Sequence, residues 1–475
     1  MALKFNTKLE YFEWVAKKRL KKGNSRSYYR DDITFYCNYF AHEKVSILEV
    51  GCGTGELIGR IKGGRKVGVD FSPTMIEVAK KQFNDVEFHC MAADDIKLDE
   101  KFDLIILSDV VSYLDDVQKV LTSLRKFCHS RTKVMVTYHN YLWQPLIKLG
   151  EWLGLKTPSY KINWLSLKDV NNLLYLAGFD VYRNVTRTLC PVRIPLIAPL
   201  FNRYIAKLPF FRWICLNLFA FARLLPEEKE NIYSEKYSIS VVIPARNESG
   251  NIENAIKRMP KLGKHTEIIF IEGNSTDDTW DKIQEVSKKY ASTHDIKIGR
   301  QKGKGKGDAV RYGFDMATCD ILLILDADLT VPPEDLTKFY DAIASGKGDF
   351  INGSRLVYPM DKEAMRFLNL LGNKFFSIAF TWLLDRPFKD TLCGTKVIFK
   401  DDYNHLIANR SFFGDFDPFG DFDLIFGAHK LNLKIVEIPI SYKERTYGET
   451  NISRFSHGFL LLKMCAFAAR KIKFI

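Results

Sequence analysis

VSILEVGCGTGE, residues 45–56, is the stretch that decides the fold of the amino-terminal half. An apolar run typical of a buried strand leads into three glycines at alternate positions, Gly51, Gly53 and Gly55. A strand that ends in glycines and continues into a helix lets a ligand approach the backbone, and it points the amino end of the helix at that ligand. The stretch therefore predicts a ligand site at the end of a parallel strand.

Further apolar runs follow at 66–70 (KVGVD), 103–107 (DLIIL) and 133–138 (KVMVTY), with helical stretches between them. Residues 164–184 predict a helix, a glycine cap and another strand. Strands that alternate with helices indicate a parallel sheet covered on both faces, a doubly wound α/β domain over residues 45–190.

Residues 1–44 predict a helical extension with a basic run, for which a solvated helix face is favoured over a membrane or nucleic-acid patch. The run consists of Lys17, Lys18, Arg19, Lys21 and Lys22.

The glycine spacing argues against a dinucleotide site, because Glu56 stands where the GxGxxG fingerprint needs its third glycine. Asp70 ends the second strand, where a carboxylate can accept two ribose hydroxyls. The Asp94-Asp95 pair follows the next predicted strand and could bind an adenine amino group. His139, after the fourth strand, is a candidate general base, although a lone histidine is more often structural.

These residues resemble the class I S-adenosylmethionine-dependent methyltransferases over roughly 45–185. The resemblance implies a Rossmann-like fold in which the glycine loop borders the methionine part of the cofactor. It also implies that Asp70 binds the ribose, that Asp94 and Asp95 bind the adenine edge, and that Glu49 orients the loop. A degenerate fold without cofactor is the alternative.

A second strand and helix series begins at residue 238. Asp326-Ala327-Asp328 ends an apolar strand, and two carboxylates so placed can hold Mg²⁺ or Mn²⁺ together with a diphosphate. PARNE (244–248) and EGNSTDDT (272–279) close two further strands, and KGKGKG (302–307) is a basic loop suited to phosphates.

Together these motifs resemble a family-2 glycosyltransferase of the GT-A fold, of the dolichol- or polyprenyl-phosphate hexosyltransferase type. The resemblance covers about 238–460. It implies phosphate contacts from Arg355 and Arg445 and metal contacts from Asp326 and Asp328. The residues implied to bind the nucleotide sugar are Pro244, Arg246, Asn247, Glu248, Glu272, Lys304, Lys306 and Asp326.

Two departures affect this reading. Glu272-Gly273 stands where the family usually has two aspartates, and Thr450-Asn451 alters the final motif. The QxxRW signature of processive synthases is absent, which favours a single sugar transfer. The resemblance implies that this transfer inverts the anomeric centre. A lipid-phosphate acceptor needs no strong base, whereas a glycan hydroxyl does. Asp390 is the first base candidate by motif position, with Asp421 and Asp423 behind it.

Residues 191–225 contain five basic residues, no acidic ones and four prolines. This composition predicts interfacial helices at a membrane surface, with a buried inter-domain helix pair as the alternative. The predicted organisation places an interfacial segment and linker at 191–237, the GT-A domain at 238–450 and an amphipathic tail at 451–475. No stretch is long and apolar enough for a classical membrane-spanning helix.

The net charge of +13 lies mostly in the amino-terminal half, with 35 basic and 26 acidic residues in 1–235 against 35 and 31 in 236–475. Nine scattered cysteines predict reduced thiols in a cytosolic setting. We expect a bifunctional enzyme, peripheral on the inner, cytoplasmic face of a membrane, that uses a UDP- or GDP-linked sugar and S-adenosylmethionine. A glycosyltransferase with a non-catalytic recognition domain is the alternative, and no nucleic-acid partner is expected.

Overall fold

The computed structural model describes residues 5, 7–22, 28–40, 44–154, 158–160, 162–192, 194–226, 235–355, 367–408, 420–440, 447 and 454–474. The backbone divides into two compact units, which span residues 1–225 and 226–473. Each unit has its own sheet and its own buried core, so each is described by itself.

The sheet of the first unit has seven strands among the described residues: β1 Ile47–Val50, β2 Lys66–Asp70, β3 Glu87–Cys90, β4 Phe102–Ser108, β5 Cys128–His139, β6 Phe179–Arg187 and β7 Asn217–Leu224. Their order is β3-β2-β1-β4-β5-β7-β6. The first five strands are parallel, and β7 runs antiparallel between β5 and β6. The strand order reverses between β1 and β4, and ligands of doubly wound sheets bind outside the carboxyl ends of the strands at such a point.

The described helices of this unit are α1 Lys8–Lys22, α2 Tyr28–Phe40, α3 Pro73–Gln82, α4 Val117–Ser123, α5 Gln144–Trp152, α6 Leu167–Leu176 and α7 Ile197–Arg203. Local sequence sets their starts. Ser72 caps α3 by accepting from Met75 N, and Ser166 forms a capping box with Asp169 at α6. Alternate residues of β1 enter separate cores on the two sheet faces, which confirms the predicted double winding.

The prediction of an interfacial segment at 191–237 is wrong for residues 217–224. Residues 217–224 form β7, a fully paired strand inside the sheet, so the first unit extends well past the expected boundary at 190. NLFAFARL has no polar alternation because β7 is covered on both faces, and periodicity alone does not separate such a run from a buried helix.

The sheet of the second unit also has seven strands among the described residues: β8 Ser238–Ala245, β9 His265–Glu272, β10 Asp295–Arg300, β11 Ile321–Ile324, β12 Phe350–Ser354, β13 Lys396–Phe399 and β14 Ile435–Pro439. Their order is β10-β9-β8-β11-β13-β12-β14. Strands β8 to β11 are parallel, and β13 is antiparallel to both of its neighbours. The order reverses between β8 and β11, so the carboxyl ends of these two strands mark the expected ligand edge.

The described helices of the second unit are α8 Ser249–Lys257, α9 Thr279–Tyr290, α10 Lys306–Met316, α11 Leu336–Ala344, α12 Phe367–Leu384, α13 Lys400–Ala408, α14 Asp421–Lys430 and α15 Arg454–Ala468. A π-helical turn, Ala469–Lys473, follows α15.

The carboxy-terminal segment is not the separate amphipathic tail predicted at 451–475. Leu461, Met464, Ala468 and Ile472 recur at helical spacing and enter the core of the second unit. Helix α12 likewise buries one face in this core, although Phe375 and Ile378 remain exposed. Among the described residues, none of the helices has the length and apolar character needed to traverse a bilayer.

Candidate functional sites

The glycine loop of the first unit follows β1 and lies at the point where the strand order reverses. Gly51, Gly53 and Gly55 all have positive φ angles, of 76°, 52° and 76°, which side chains rarely adopt. A Cβ atom at Gly51 would come within 2.5 Å of Val110 Cγ2, and one at Gly55 within 2.7 Å of the Phe88 ring. Backbone conformation and close packing therefore both require glycine in this loop.

Two buried carboxylates hold the glycine loop. Asp70, at the end of β2, accepts hydrogen bonds from Gly53 N at 2.9 Å and Ser72 N at 3.0 Å. Glu49 accepts from Ile58 N at 3.1 Å, and burial raises its pKa to about 8 despite that hydrogen bond. Both carboxylates therefore hold the backbone of the loop and of the residues that follow it, and the resemblance predicts such an orienting role for Glu49.

A cleft of about 790 Å³ opens beside this loop, a volume within the usual range for small-molecule sites. Its lining includes Glu49, Gly51, Gly53, Asp70 and Asp94, together with residues 7–9 and 12 of the amino-terminal segment and residues 29, 30, 33 and 34 of α2. The residues predicted as a helical extension thus form one wall of the cleft.

Specific pairs fix these helices over the loop. Glu13 of α1 accepts from Ser72 Oγ at 2.6 Å and from Thr74 Oγ1. Arg30 of α2 pairs with Glu56, the residue that replaces the third glycine of a dinucleotide fingerprint. Glu56 therefore anchors the helical wall.

The structure separates the two adjacent acids that were predicted to bind adenine. Asp94 lines the cleft, and its Oδ2 lies 2.7 Å from Lys119 Nζ. Asp95 is not among the cleft-lining residues, and its carboxylate is exposed and lies 3.3 Å from Lys97 Nζ. Of the two acids, the structure places Asp94 alone in the cleft lining, so the prediction of an adenine contact is kept for Asp94 and loses support for Asp95.

A second polar cluster stands at the carboxyl ends of β4 and β5. Asp109 follows β4 with φ of 59°, an unusual conformation for a side-chain-bearing residue and one typical of functional turns. Its Oδ2 accepts a hydrogen bond from the Tyr29 hydroxyl, and its Oδ1 lies 3.8 Å from His139 Nδ1. The Tyr29 and His139 rings stack at 4.9 Å. Burial, and then the Asp109 charge, raise the pKa of Tyr29 well above its usual value.

Tyr29 and Asp109 line the cleft, whereas His139 lies behind Tyr29 and is not among the lining residues. The candidate base His139 therefore reaches the cleft only through its neighbours. Sequence reasoning missed both neighbours, although Asp109 follows an apolar strand just as Asp70 does.

The second unit concentrates charge where its strand order reverses. Asp326 follows β11, and its Oδ1 lies 2.5 Å from Nζ of Lys306, the first residue of α10. Burial acts to raise the pKa of Asp326, but Lys306, and then Lys396 and Arg355, lower it overall. A Cβ atom at Gly394 would overlap the Asp326 carboxylate and Lys306 Nζ. Gly394 therefore leaves room for this ion pair.

Asp328 lies two residues further on, and its Oδ1 accepts from Thr330 N at 3.2 Å and Thr330 Oγ1 at 2.9 Å. The described residues contain no group of three or more His, Cys, Asp or Glu side chains that could hold a metal ion. Two carboxylates suit Mg²⁺ or Mn²⁺ if diphosphate oxygens and water complete the shell. Asp326 and Asp328 therefore fit a divalent cation bound together with a diphosphate.

The predicted nucleotide loops adjoin one another at the ends of β8 and β9. Asn247, with φ of 55°, accepts from Thr276 N at 2.8 Å and donates its backbone N–H to Ser275 Oγ. Glu248 is buried and accepts from Asn251 Nδ2 at 2.8 Å. These contacts fix the loop, whereas Arg246 is exposed and Pro244 half-buried beside it.

Glu272 is turned away from a ligand role. It is 4% exposed, and its carboxylate accepts from Ser275 N and lies 3.5 Å from Arg300 Nε. In the adjoining basic loop, Lys304 is exposed and leads into the first turn of α10. Of the residues predicted to contact the nucleotide sugar, Lys306 pairs with Asp326, and Lys304 lies two residues before Lys306 in the same loop. Glu272 stabilises its own turn.

The structure contradicts the prediction that Asp390 is a general base. Asp390 is fully buried and accepts from Arg355 Nε at 2.7 Å, Arg355 Nη2 at 2.8 Å, Arg355 N, Asn373 Nδ2 and Leu392 N. Burial acts to raise its pKa, but the Arg355 guanidinium outweighs burial and lowers the pKa to about 2. A carboxylate with so low a pKa is a weak proton acceptor. Asp390 is instead a positioning residue for Arg355.

The other base candidates stand differently. Asp421 begins α14 and Asp423 lies in its first turn, where Asp423 is half-buried. A Cβ atom at Gly420 would come within 2.9 Å of Gly307 Cα, so the start of α14 abuts the start of α10, which carries Lys306. The side chain of Asp421 and the whole of Arg445 lie outside the described residues.

Two further contacts were not foreseen. Tyr447 of the final motif lies 3.1 Å, hydroxyl to hydroxyl, from Ser249 in α8, and its ring packs on Gly250. Lys396 is buried, donates to Cys393 O, and is close enough to Asp326 to lower the pKa of that carboxyl. The motif around Tyr447 was visible in the sequence, whereas nothing in the pattern near Lys396 indicated its position.

Comparisons with known proteins divide the chain in the same way. Residues 18–184 match the family described as Methyltransferase domain, and residues 240–408 match Glycosyl transferase family 2. A solved S-adenosylmethionine-dependent methyltransferase from Clostridium acetobutylicum aligns with 45% of this chain and 98% of its own, at 15% identity and a TM-score of 0.30.

Two curated proteins resemble the second unit. A dolichol-phosphate mannosyltransferase from Pyrococcus furiosus is 33% identical over 219 residues, which cover 45% of this chain and 59% of that protein. Glycosyltransferase AglJ from Haloferax volcanii is 26% identical over 226 residues, 47% of this chain and 69% of that protein. The chain thus spans little more than half the length of the Pyrococcus relative. The two family matches fall on separate parts of the chain, residues 18–184 and residues 240–408.

Proposed function

We propose that the second unit transfers one sugar from a nucleoside-diphosphate donor to a lipid-phosphate acceptor. The observation that carries this proposal is the Lys306–Asp326 pair, with Asp328 two residues away, at the carboxyl edge where the strand order reverses. Similarity to the Pyrococcus dolichol-phosphate mannosyltransferase supports the choice of acceptor class.

Charge neutralisation is the main task of such a site. A divalent ion held by Asp326 and Asp328 would offset the charge that grows on the departing nucleoside diphosphate. Lys306 would then exchange Asp326 for a phosphate oxygen. Lys304 lies one residue before Gly305, which has a positive φ angle, and would contact the same diphosphate as Lys306.

The state of Asp390 favours an anionic acceptor over a sugar hydroxyl. A hydroxyl nucleophile needs a proton acceptor with an accessible lone pair, and Asp390 is buried, ion-paired and of low pKa. A phosphate oxygen is already ionised at neutral pH and needs none. This argument supports the lipid-phosphate acceptor and weakens the glycan alternative.

For the first unit we infer S-adenosylmethionine binding and methyl transfer. The positive-φ glycines, the roughly 790 Å³ cleft and the carboxylates Asp70 and Asp94 in its wall support this inference. Methyl transfer from a sulfonium depends chiefly on alignment of donor and acceptor. Tyr29 and Asp109 line the same cleft and are placed to contact the methyl acceptor.

A donor screen tests the sugar transfer. The full chain is incubated with UDP-, GDP- and other nucleotide sugars, Mn²⁺ or Mg²⁺ and a polyprenyl phosphate, and nucleoside diphosphate release is measured. We expect release with one nucleotide class, dependent on the lipid phosphate and abolished by EDTA. Release that proceeds equally with a glycan acceptor and without lipid phosphate would overturn the acceptor assignment.

Calorimetry tests the first unit. We expect S-adenosylmethionine to release heat on binding and S-adenosylhomocysteine to compete with it. If neither ligand binds, the first unit is a recognition module attached to a glycosyltransferase.

A further inference from the structure

The first unit carries an unusual concentration of exposed apolar side chains. Among the described residues, 29 large hydrophobic side chains are exposed, and 17 of them lie in the two segments 141–153 and 192–214. The most exposed are Leu196 at 87%, Trp152 at 80%, Phe210 at 77% and Trp213 at 75%. We call these two segments the apolar edge. Contiguous apolar surfaces are uncommon on soluble monomers and mark interaction sites.

Hydrogen bonds join the two segments into one surface. Asn140 Nδ2 donates to the carbonyl oxygens of Trp213 and Cys215, both at 2.9 Å. Trp143 Nε1 donates to Ile214 O at 2.8 Å. The exposed side chains of α5 and of the α7 region therefore project from a single, cross-linked platform.

The apolar edge lies beside the cleft of the first unit. Segment 141–153 begins two residues after His139, which ends β5, and segment 192–214 ends shortly before Asn217, which begins β7. His139 and Asn217 are paired across the strands. The platform is consequently at the carboxyl edge of the sheet, the edge that also carries the glycine loop and Asp109.

The charges of the apolar edge select its partner. Segment 192–214 has no acidic residue, and of its described basic residues Arg203 is exposed, Arg212 is half-buried and Lys207 is buried. Segment 141–153 adds the exposed Lys148. The one acidic residue of segment 141–153, Glu151, accepts two hydrogen bonds from Ser159. Tryptophan and tyrosine prefer the boundary between lipid headgroups and acyl chains, and nearby cations are attracted to anionic headgroups.

We propose that the apolar edge docks the first unit on an anionic lipid bilayer and thereby presents the cleft to a methyl acceptor carried in that bilayer. The docking depends only on the exposed side chains and their charges. The identity of the acceptor as a membrane-borne molecule rests on the methyl transfer proposed above.

Vesicle flotation of the full chain tests the docking. The vesicles are pure phosphatidylcholine, or phosphatidylcholine with 30% phosphatidylglycerol. We expect the protein to float with the anionic vesicles, and Leu196→Ser combined with Phe210→Ser and Trp213→Ser to lower the bound fraction at least 10-fold. Lys148→Glu with Arg212→Glu should reduce binding to anionic vesicles and make the remainder insensitive to salt.

A matched control uses the opposite edge of the same sheet. Tyr175 and Leu176 are 65% and 53% exposed at the end of α6, next to the start of β6. Tyr175→Ser with Leu176→Ser should leave flotation unchanged. Chemical denaturation of every variant, compared with the wild type, reports whether the fold is kept, and S-adenosylhomocysteine titration reports the cleft separately.

Three outcomes would overturn the proposal. The wild-type chain fails to float, or the triple variant floats as well as the wild type does. Alternatively, gel filtration with light scattering shows a wild-type dimer that the triple variant converts to a monomer, in which case a second copy covers the edge. Flotation without any S-adenosylhomocysteine binding would uphold the docking and overturn the proposed methyl transfer.

Discussion

The two units place their candidate sites at equivalent points of similar sheets but line them with opposite chemistry. At the β1 end the chain offers positive-φ glycines and carboxylates that accept from backbone N–H groups. At the β11 end it offers carboxylates that are paired with lysine and arginine side chains. The first edge admits a ligand close to the backbone, whereas the second carries ion-paired side chains that can exchange their partners for a charged ligand.

Two buried carboxylates express this difference most clearly. Glu49 has one identified hydrogen bond, from a backbone N–H, and burial raises its pKa to about 8. Asp390 has five donors, one of them a guanidinium fork, and its pKa falls to about 2 in spite of burial. Burial alone therefore does not set the charge of a carboxylate, because the available donors do.

The largest effect is expected at Asp390. Asp390→Asn leaves the Arg355 guanidinium buried without its counter-charge, and breaking one side of a buried ion pair typically costs about 3–5 kcal/mol. Chemical denaturation of the full chain should show the second unit destabilised by roughly that amount. Glu334→Gln breaks the exposed Arg258–Glu334 pair and should cost less than about 1 kcal/mol. Equal losses in the two variants would contradict the assigned role of Asp390.

Asp328→Asn should lower sugar transfer roughly 10²–10³-fold while the fold is kept, because the amide still accepts from Thr330 but no longer binds a cation strongly. Nucleoside diphosphate release at saturating Mn²⁺ measures the effect. Asp295→Asn, at the start of β10 and 44% exposed, is the matched carboxylate control. Full activity of Asp328→Asn would contradict the claim that sugar transfer depends on a metal ion held by Asp328.

Glu49 predicts a pH dependence of opposite sign to that of Asp390. A raised pKa means that the folded state binds the proton more tightly, so the stabilisation is present below the unfolded pKa and is lost as pH rises towards 8. The free energy of unfolding of the first unit should fall by about 2 kcal/mol between pH 6 and pH 8. Glu49→Gln should flatten this slope, and an unchanged slope would assign the dependence to another group.

The smallest effect separates two neighbouring acids. Asp94 lines the cleft and Asp95 does not, so Asp94→Asn should weaken S-adenosylmethionine binding about 5- to 10-fold, or roughly 1 kcal/mol. Asp95→Asn should leave the dissociation constant unchanged in calorimetry. The reverse ranking would contradict the position of this turn.

Sequence patterns predicted the strands that are followed by candidate site residues, because glycines and carboxylates after apolar runs are local signals. They missed β7, because its apolar run lies between a proline-rich segment and a charged segment and has no alternation of polar and apolar residues that would identify a strand. They also misassigned Asp390, because its role depends on an ion pair with Arg355, which lies 35 positions away in the sequence. The wall formed by α1 and α2 was unforeseen for the same reason.

The central claim is that one chain carries two separate ligand sites, and reciprocal titration tests it most directly. S-adenosylmethionine and the nucleotide sugar found in the donor screen are titrated by calorimetry into the wild type, Asp328→Asn and Gly51→Val, whose side chain would clash with Val110. We predict that Asp328→Asn loses only the metal-dependent nucleotide-sugar heat and that Gly51→Val loses only the S-adenosylmethionine heat. Loss of both ligands in either variant would contradict the claim.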